Sequence, residues 1–307
     1  MKPSSLLQIA HYMQIACKNL PCTISGVSVD SRLSTNGDLF FALPGAMVDG
    51  HSFLADVATK GAVAAVVKCD YAGPNYGMEL LHSEDVLASL QLLAHNFVKQ
   101  SRAITVAVTG SVGKTTTKDF ITTLLKSKYK VSSSPGNSNS QVGLPLAILN
   151  HSTLEEDFLV LEMGMTHPGQ IAKLVQIAPP SLAVITSIAL VHAGNFDSIE
   201  EIARAKAELF SHPDTKLGIY PKEYNFGEVL SKTGSSRKLA FSTKLSTADY
   251  FLDTLKDNLT LFTHGESLSQ FPLSNLPGEH NHHNFLAAAV AARNLGMSWE
   301  EIRLAQM

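Results

Sequence analysis

The sequence predicts an α/β protein: a small N-terminal α/β domain, then a doubly wound, mostly parallel sheet domain with an antiparallel addition. Three observations predict it. Near-continuous apolar runs at Ile104–Val108, Phe158–Leu161 and Leu182–Ile185 have the character of parallel strands covered on both faces. Each run passes at once into polar residues, Thr109-Gly110, Glu162 and Thr186 to His192, and ligands gather outside the carboxyl ends of such strands. Helical segments alternate with the strands, as crossover connections require.

The elements follow in order. Met1–Leu20 sets Leu6, Leu7, Ile9, Met13, Ile15 and Ala16 among Gln8, His11 and Gln14, an amphipathic helix capped at Ser4/Ser5 and not a signal peptide. A turn-rich strand Ser25–Asp30, a strand Leu39–Leu43, a helix Ser52–Lys60 and a strand Ala62–Val67 come next, punctuated by Gly45, Gly50 and Gly61. The helix Val86–Lys99 leads to Gln100-Ser101-Arg102, which divides the chain into domains 1–100 and 101–307. Leu217–Gln270 alternates weakly between turn signals and reads as the antiparallel addition; its role does not follow from the sequence. A last helix, Asn284–Leu295, is followed by Ser298–Met307, which has no closing Gly or Pro and reads as cut short.

Composition narrows the function. The chain has 307 residues, 45% apolar and 17% charged, enough to bury two ordinary cores. A net charge of -3 gives no positive field for a nucleic-acid backbone or an anionic membrane, and a small polar ligand is the expected partner. Cys17, Cys22 and Cys69 form no disulfide framework and fit a reducing cytosol. No apolar run reaches the roughly 18 residues of a membrane span. A cytoplasmic monomer is expected.

Thr109-Gly110-Ser111-Val112-Gly113-Lys114-Thr115-Thr116 lies between an apolar strand and a helix expected over Thr117–Lys126, where a P-loop belongs. Backbone N–H groups at the turn and helix start make an anion site, Lys114 supplies charge to the β/γ-phosphates, and the Thr115 hydroxyl can hold Mg²⁺. The competing reading is a chance Gly-Lys-Thr on a surface loop. Val108 stands where the strict Walker pattern has its first glycine.

Glu162 ends an apolar strand with a carboxylate, a first-choice Mg²⁺ ligand because that ion fills most of its octahedron with water and phosphate oxygen. The alternative is a solvated strand end. The helix Ser198–Phe210 opens with a Ser198/Glu201 capping box, and Lys206 completes its apolar face of Ile199, Ile202, Ala203, Leu209 and Phe210. A lysine there is either desolvated, which favours the neutral amine, or snorkels so that its head reaches water.

These motifs resemble the Mur ligase family. The Thr-Gly-x-x-Gly-Lys-Thr form is similar to that of Mur ligases and folylpolyglutamate synthetases. Ser28-Val-Asp30-Ser31-Arg32, Gly37–Leu43 and Asp49-Gly50-His51 resemble the family's UDP-binding first domain. Gly136-Asn137-Ser-Asn139-Ser-Gln-Val-Gly143-Leu-Pro-Leu and Glu162-Met-Gly164 resemble the D-Ala-D-Ala-adding members, although Ser140 and Gln170 stand where Asn and Glu are usual. The resemblance implies an ATP-dependent amide ligase of peptidoglycan precursor synthesis that joins D-Ala-D-Ala to UDP-N-acetylmuramoyl-tripeptide through an acyl phosphate. It implies two Mg²⁺ ions and a CO₂-carbamylated Lys206, because His192 followed by Ala205-Lys206-Ala207-Glu208-Leu209-Phe210 matches the family pattern. By the same resemblance Asn281 and Asn284 face the adenine. Ser28, Asp30, Ser31, Arg32, Asp49, His51, Asn137 and Asn139 take the UDP substrate. A third, C-terminal domain of the family is absent after Met307, so slow ligation or none is expected. Two other readings stay open: another ligase of the superfamily, and a non-catalytic nucleotide-binding protein. For the run His280-Asn281-His282-His283 a zinc site is a further alternative.

Overall fold

A computed structural model of the chain describes residues 3–17, 21–45, 48–190, 195–223, 226–255, 258–264, 266–272 and 278–305. In order, the first elements are β1 (Ser4–Ser5), α1 (Leu6–Tyr12), β2 (Thr23–Ile24), β3 (Gly26–Ser28), β4 (Asp38–Phe41), α2 (Leu54–Thr59), β5 (Ala64–Lys68), β6 (Glu79–Ser83) and α3 (Val86–Gln100). The middle of the chain forms β7 (Ile104–Thr109), α4 (Lys114–Lys126), β8 (Val131–Ser133), α5 (Gly143–His151), β9 (Phe158–Glu162), α6 (Gln170–Ile177), β10 (Leu182–Ile185) and α7 (Ile199–Ala207). Then come β11 (Leu217–Pro221), α8 (Gly227–Lys232), β12 (Arg237–Ser242), β13 (Tyr250–Leu255), β14 (Asn258–Thr263), β15 (Glu266–Pro272), α9 (Glu279–Asn294) and α10 (Trp299–Ala305). No helix among the described residues is long and apolar enough to cross a membrane.

The chain packs as two compact units, residues 1–102 with 141–154, and residues 103–140 with 155–307. The first holds an all-parallel sheet in the order β3-β4-β5-β6. Its inner strand β4 is buried along its whole length, and Phe40, Leu54, Val57, Ala65, Val67 and Met78 form the core beneath it. Linear division at residue 100 leaves α5 in the second domain, whereas the structure packs it in the first unit. One side chain explains this. The amide of Asn150 accepts from the Val27 N–H (3.0 Å) and donates to the Val27 C=O (2.8 Å), completing the hydrogen bonding of β3 as a neighbouring strand would.

The second unit holds a nine-stranded sheet among the described residues, ordered β15-β14-β13-β12-β11-β10-β7-β9-β8. Strand order reverses at β7, with β9 on one side and β10 on the other, both parallel to it. A ligand crevice opens outside the carboxyl ends at such a switch point. Alanine-rich α9 is buried from Phe285 to Ala292 and packs on α4 and the sheet; its short side chains permit close approach.

Several expectations need correction. The antiparallel addition is narrower than Leu217–Gln270, because β10, β11, β12 and β13 run parallel and only β13-β14-β15 pair antiparallel. The N-terminal helix spans only Leu6–Tyr12, since Gln14 turns the chain with φ +58°. Helix α4 starts at Lys114, three residues early, because Gly113 in the left-handed region ends the loop there. The run His280–Asn284 lies within α9 instead of preceding it. Ser298 and Glu301 exchange hydrogen bonds in a capping box that starts α10, an element the sequence reading lacked.

The Asn150 clamp is testable. Asn150→Ala leaves both polar groups of buried Val27 without these partners, and a loss of about 1–3 kcal/mol is expected in urea unfolding. A midpoint and slope equal to wild type would show that the clamp is dispensable.

Candidate active site

The parallel register sets three strand ends level. Val108 pairs with Glu162, and Thr109 with Ile185, so the loop after β7, the carboxylate ending β9 and the segment after β10 meet at one edge of the sheet. The loop is held from the β10 side. Thr186 Oγ1 donates to the Val112 carbonyl (2.6 Å), Ser187 Oγ accepts from the Val112 N–H (2.9 Å), and Ser111 N–H donates to the Ser187 carbonyl (2.9 Å). Two glycines are needed for close approach. A Cβ on Gly113, whose φ is +83°, would run into the Asn284 amide, and one on Gly110 into the Thr186 hydroxyl.

Glu162 is 1% exposed, which excludes the solvated strand end. Its carboxylate accepts from Thr115 Oγ1 (2.7 Å) and from Asn139 Nδ2 (2.6 Å), and its N–H donates to Ser134 Oγ (3.0 Å). Lys114 donates to the Gly110 carbonyl (3.1 Å); burial lowers the pKa of its amine, and the Glu162 charge opposes that shift. Lys206 is 3% exposed and so does not snorkel. Burial, reinforced by the nearby Lys114 charge, lowers its pKa from 10.5 to about 7, so a large neutral-amine fraction exists near neutral pH. Lys114 thus lies within electrostatic reach of both Glu162 and Lys206.

Among the described residues no three His, Cys, Asp or Glu side chains cluster as metal ligands. One carboxylate beside one hydroxyl suits a hard cation that completes its shell with water and phosphate oxygen, and does not suit an all-protein zinc cage.

Residues 108–292 match the Mur ligase middle domain, and residues 23–90 match the Mur ligase family catalytic domain. The chain belongs to the Mur ligase family. It is 34% identical to the UDP-N-acetylmuramoyl-tripeptide–D-alanyl-D-alanine ligase of Synechocystis sp., over 91% of this chain and 60% of that protein. A crystal structure of MurF from Acinetobacter baumannii superposes with TM-score 0.87 at 29% identity, covering 100% of this chain and 68% of that one. MurF from Thermotoga maritima in complex with ADP gives TM-score 0.76 at 27% identity, over 94% and 67%. The chain spans about 60% of the length of the Synechocystis relative.

In this member of the Mur ligase family the Glu208 of the Ala-Lys-x-Glu pattern has a structural task that the sequence reading missed. Its carboxylate accepts from the N–H groups of Gly169 (2.8 Å) and Ala172 (3.0 Å), capping α6 from the turn that follows Lys206. Asn139 bonds Glu162, while Asn137 is exposed. Asn284 lies against the loop, and Asn281 sits in the first turn of α9. His283 donates from Nε2 to the Thr186 carbonyl (2.9 Å), with Nδ1 3.6 Å from Glu223. His192 falls outside the described residues.

In the first unit, Arg32 forks onto Asp30 through Nε (2.9 Å) and Nη2 (2.6 Å), which holds the Asp30 pKa down at about 2. The Arg32 side chain is otherwise open, 84% exposed. Lys60, which sequence reasoning missed, donates to the Ser31 carbonyl (2.7 Å), and Ser28 donates to the Ser34 hydroxyl (3.2 Å). His51 accepts the Lys68 N–H at Nε2 (3.0 Å), so Nδ1 is its donor to Asp49 (2.6 Å) and both ring nitrogens are committed.

Lys206 gives a pH prediction. Between about pH 7 and its ordinary 10.5 the unfolded chain holds a proton that the folded chain has lost, so this group's destabilisation is greatest below pH 7 and fades as pH rises. In CO₂-free buffer Lys206→Met is therefore expected to be the more stable form at pH 6, by up to a few kcal/mol, with the advantage shrinking towards pH 10. A stability difference independent of pH would show that Lys206 is not desolvated.

Proposed function

We propose that this chain serves an ATP-dependent, ADP-forming amide ligation, the joining of D-Ala-D-Ala to UDP-N-acetylmuramoyl-tripeptide in cytoplasmic peptidoglycan precursor synthesis. The observation that carries the proposal is the bond between Asn139 and Glu162 beside the phosphate loop. It joins the Gly-Asn-x-Asn and Glu-Met-Gly segments, the two in which this chain resembles the D-Ala-D-Ala-adding members. The name of the Synechocystis protein supports the same substrate pair.

In this reading the backbone of Thr109–Thr116 cradles the ATP phosphates and Lys114 sets its charge against the β/γ oxygens. Asn281 and Asn284 take the adenine. Glu162 and Thr115 hold Mg²⁺, which when bound neutralises charge on the phosphates. The γ-phosphoryl group passes to the tripeptide's terminal carboxylate and ADP departs. The D-Ala-D-Ala amine then attacks the acyl carbon, phosphate leaves and the amine's proton is released. The protein's share is positioning and electrostatic stabilisation. Lys206 presents a neutral amine that adds CO₂, forming a carbamate and releasing one proton; with His192 it serves a second ion. Ser28, Asp30, Ser31, Arg32, Asp49 and His51 serve the UDP substrate in the first unit, with the open Arg32 guanidinium facing its phosphates and His51 acting through Asp49; Asn137 is a substrate-binding residue of the second unit. Asn139, committed to Glu162, acts at the ion.

Calorimetric titration tests this. Mg·ADP and UDP-N-acetylmuramoyl-tripeptide are each expected to bind, and a folate is not. Lys114→Ala should weaken nucleotide binding about tenfold or more, the loss of one charge-assisted contact, and leave the tripeptide affinity unchanged. Folate binding without UDP-precursor binding would contradict the proposal in favour of the folate branch, and binding of neither nucleotide nor precursor would remove the ligase reading altogether.

A further inference from the structure

Among the described residues Lys118 is the most deeply buried basic side chain whose role the ligase reading leaves open. It lies on α4 one turn beyond Lys114, is 2% exposed, and packs on the face that also carries Ile121, Thr122 and Leu125. Burying an ammonium is costly unless each donor finds an acceptor. Here Nζ donates to the carbonyls of Ser134 (2.8 Å) and Gly136 (3.1 Å) and forms an ion pair with an Asp119 carboxylate oxygen at 3.3 Å. The one ammonium thus bridges the carbonyls of residues 134 and 136, where the chain leaves β8.

That same loop grips Glu162 twice. Ser134 Oγ accepts the Glu162 N–H (3.0 Å), and Asn139 Nδ2 donates to the carboxylate (2.6 Å). Its far end is pinned by Gly164 N–H donating to the Asn139 carbonyl (2.8 Å), and no side chain at 164 would fit against the Asn139 amide. Lys118 therefore fixes the near half of a loop whose side chains hold the Glu162 backbone N–H and its carboxylate. Groups that orient a metal-binding carboxylate without touching the ion alter affinity strongly, typically by about 10–100-fold.

We propose that Lys118 is a positioning residue: it holds the 134–139 loop in the curvature that presents Asn139 to Glu162, and so aims the Glu162 carboxylate at the divalent ion. The inference rests on the reading of Glu162 as the ion's ligand. It assigns Lys118 no contact with nucleotide or metal.

The test reads ion and nucleotide separately. Mn²⁺ binding is followed by electron paramagnetic resonance in the presence of ADP, and ADP binding without metal by calorimetry, on wild type, Lys118→Met, Asn139→Ala, the double variant and Glu162→Gln. Lys118→Met is expected to weaken Mn²⁺ about tenfold while metal-free ADP affinity changes less than about twofold. The double variant is expected to be no weaker than the worse single one, since both changes release the same carboxylate. Equal losses of Mn²⁺ and ADP affinity, or additive losses in the double variant, would make Lys118 a plain structural lysine and overturn the proposal; so would wild-type Mn²⁺ affinity in Lys118→Met. If Lys118→Met does not fold, Lys118→Gln, which keeps a donor for one carbonyl, is read in the same way against the same outcomes. Failure of the underlying reading looks different: Glu162→Gln would then bind Mn²⁺ as wild type does, or wild type would bind none.

Discussion

A carboxylate at 1% exposure, at the end of an apolar strand, is the constraint around which the second unit is arranged. Desolvating a charge there is unfavourable by several kcal/mol, and the surrounding groups offset it directly. Thr115 brings a hydroxyl from α4, Asn139 an amide from the loop after β8, and Lys114 a nearby positive charge. Thr115 and Lys114 come from the β7–β8 crossover and Asn139 from the β8–β9 crossover. Their meeting depends on the parallel register that sets Val108 beside Glu162, because a slip of one residue would turn the carboxylate to the other face.

The same edge explains the opposite behaviour of two lysines. Lys118 finds two carbonyl acceptors and an Asp119 carboxylate oxygen at 3.3 Å. Lys206 is buried with Lys114 as its main electrostatic neighbour, so the protein disfavours its charged form. One amine is used as a fixed cation that shapes a loop; the other is left with a reactive lone pair near neutral pH. Glu208, two residues on, caps α6 and ties the turn after Lys206 to a second helix.

Much of this was legible in the sequence because the signals were local. The apolar runs of β7, β9 and β10, the glycine-lysine loop, the carboxylate at a strand end and the lysine in an apolar helical stripe each sit within about ten residues. What was not legible depends on distant pairing. Asn150 meets Val27 across 123 positions, so nothing near either residue announces that α5 packs with the first sheet. Asn139 reads as one more polar residue in a turn until Glu162 is placed beside it. Lys118 looks like a solvated helix residue among Thr117 and Asp119. Strands β8, with two serines in three residues, and β11 and β12, with Gly218, Arg237 and Lys238, lack the apolar continuity that marks central parallel strands. Hence the extent of the antiparallel addition was overread.

In the proposed function Glu162 and Thr115 form one half of a divalent-ion site at the mouth of the phosphate loop. Anomalous diffraction from crystals holding ADP and Mn²⁺ measures this directly. The account predicts a manganese peak about 2 Å from a Glu162 carboxylate oxygen and from Thr115 Oγ1, with the remaining positions filled by water and phosphate oxygen. A nucleotide-bound crystal in which manganese lies elsewhere, and Glu162 keeps its direct hydrogen bond to Thr115, would contradict it.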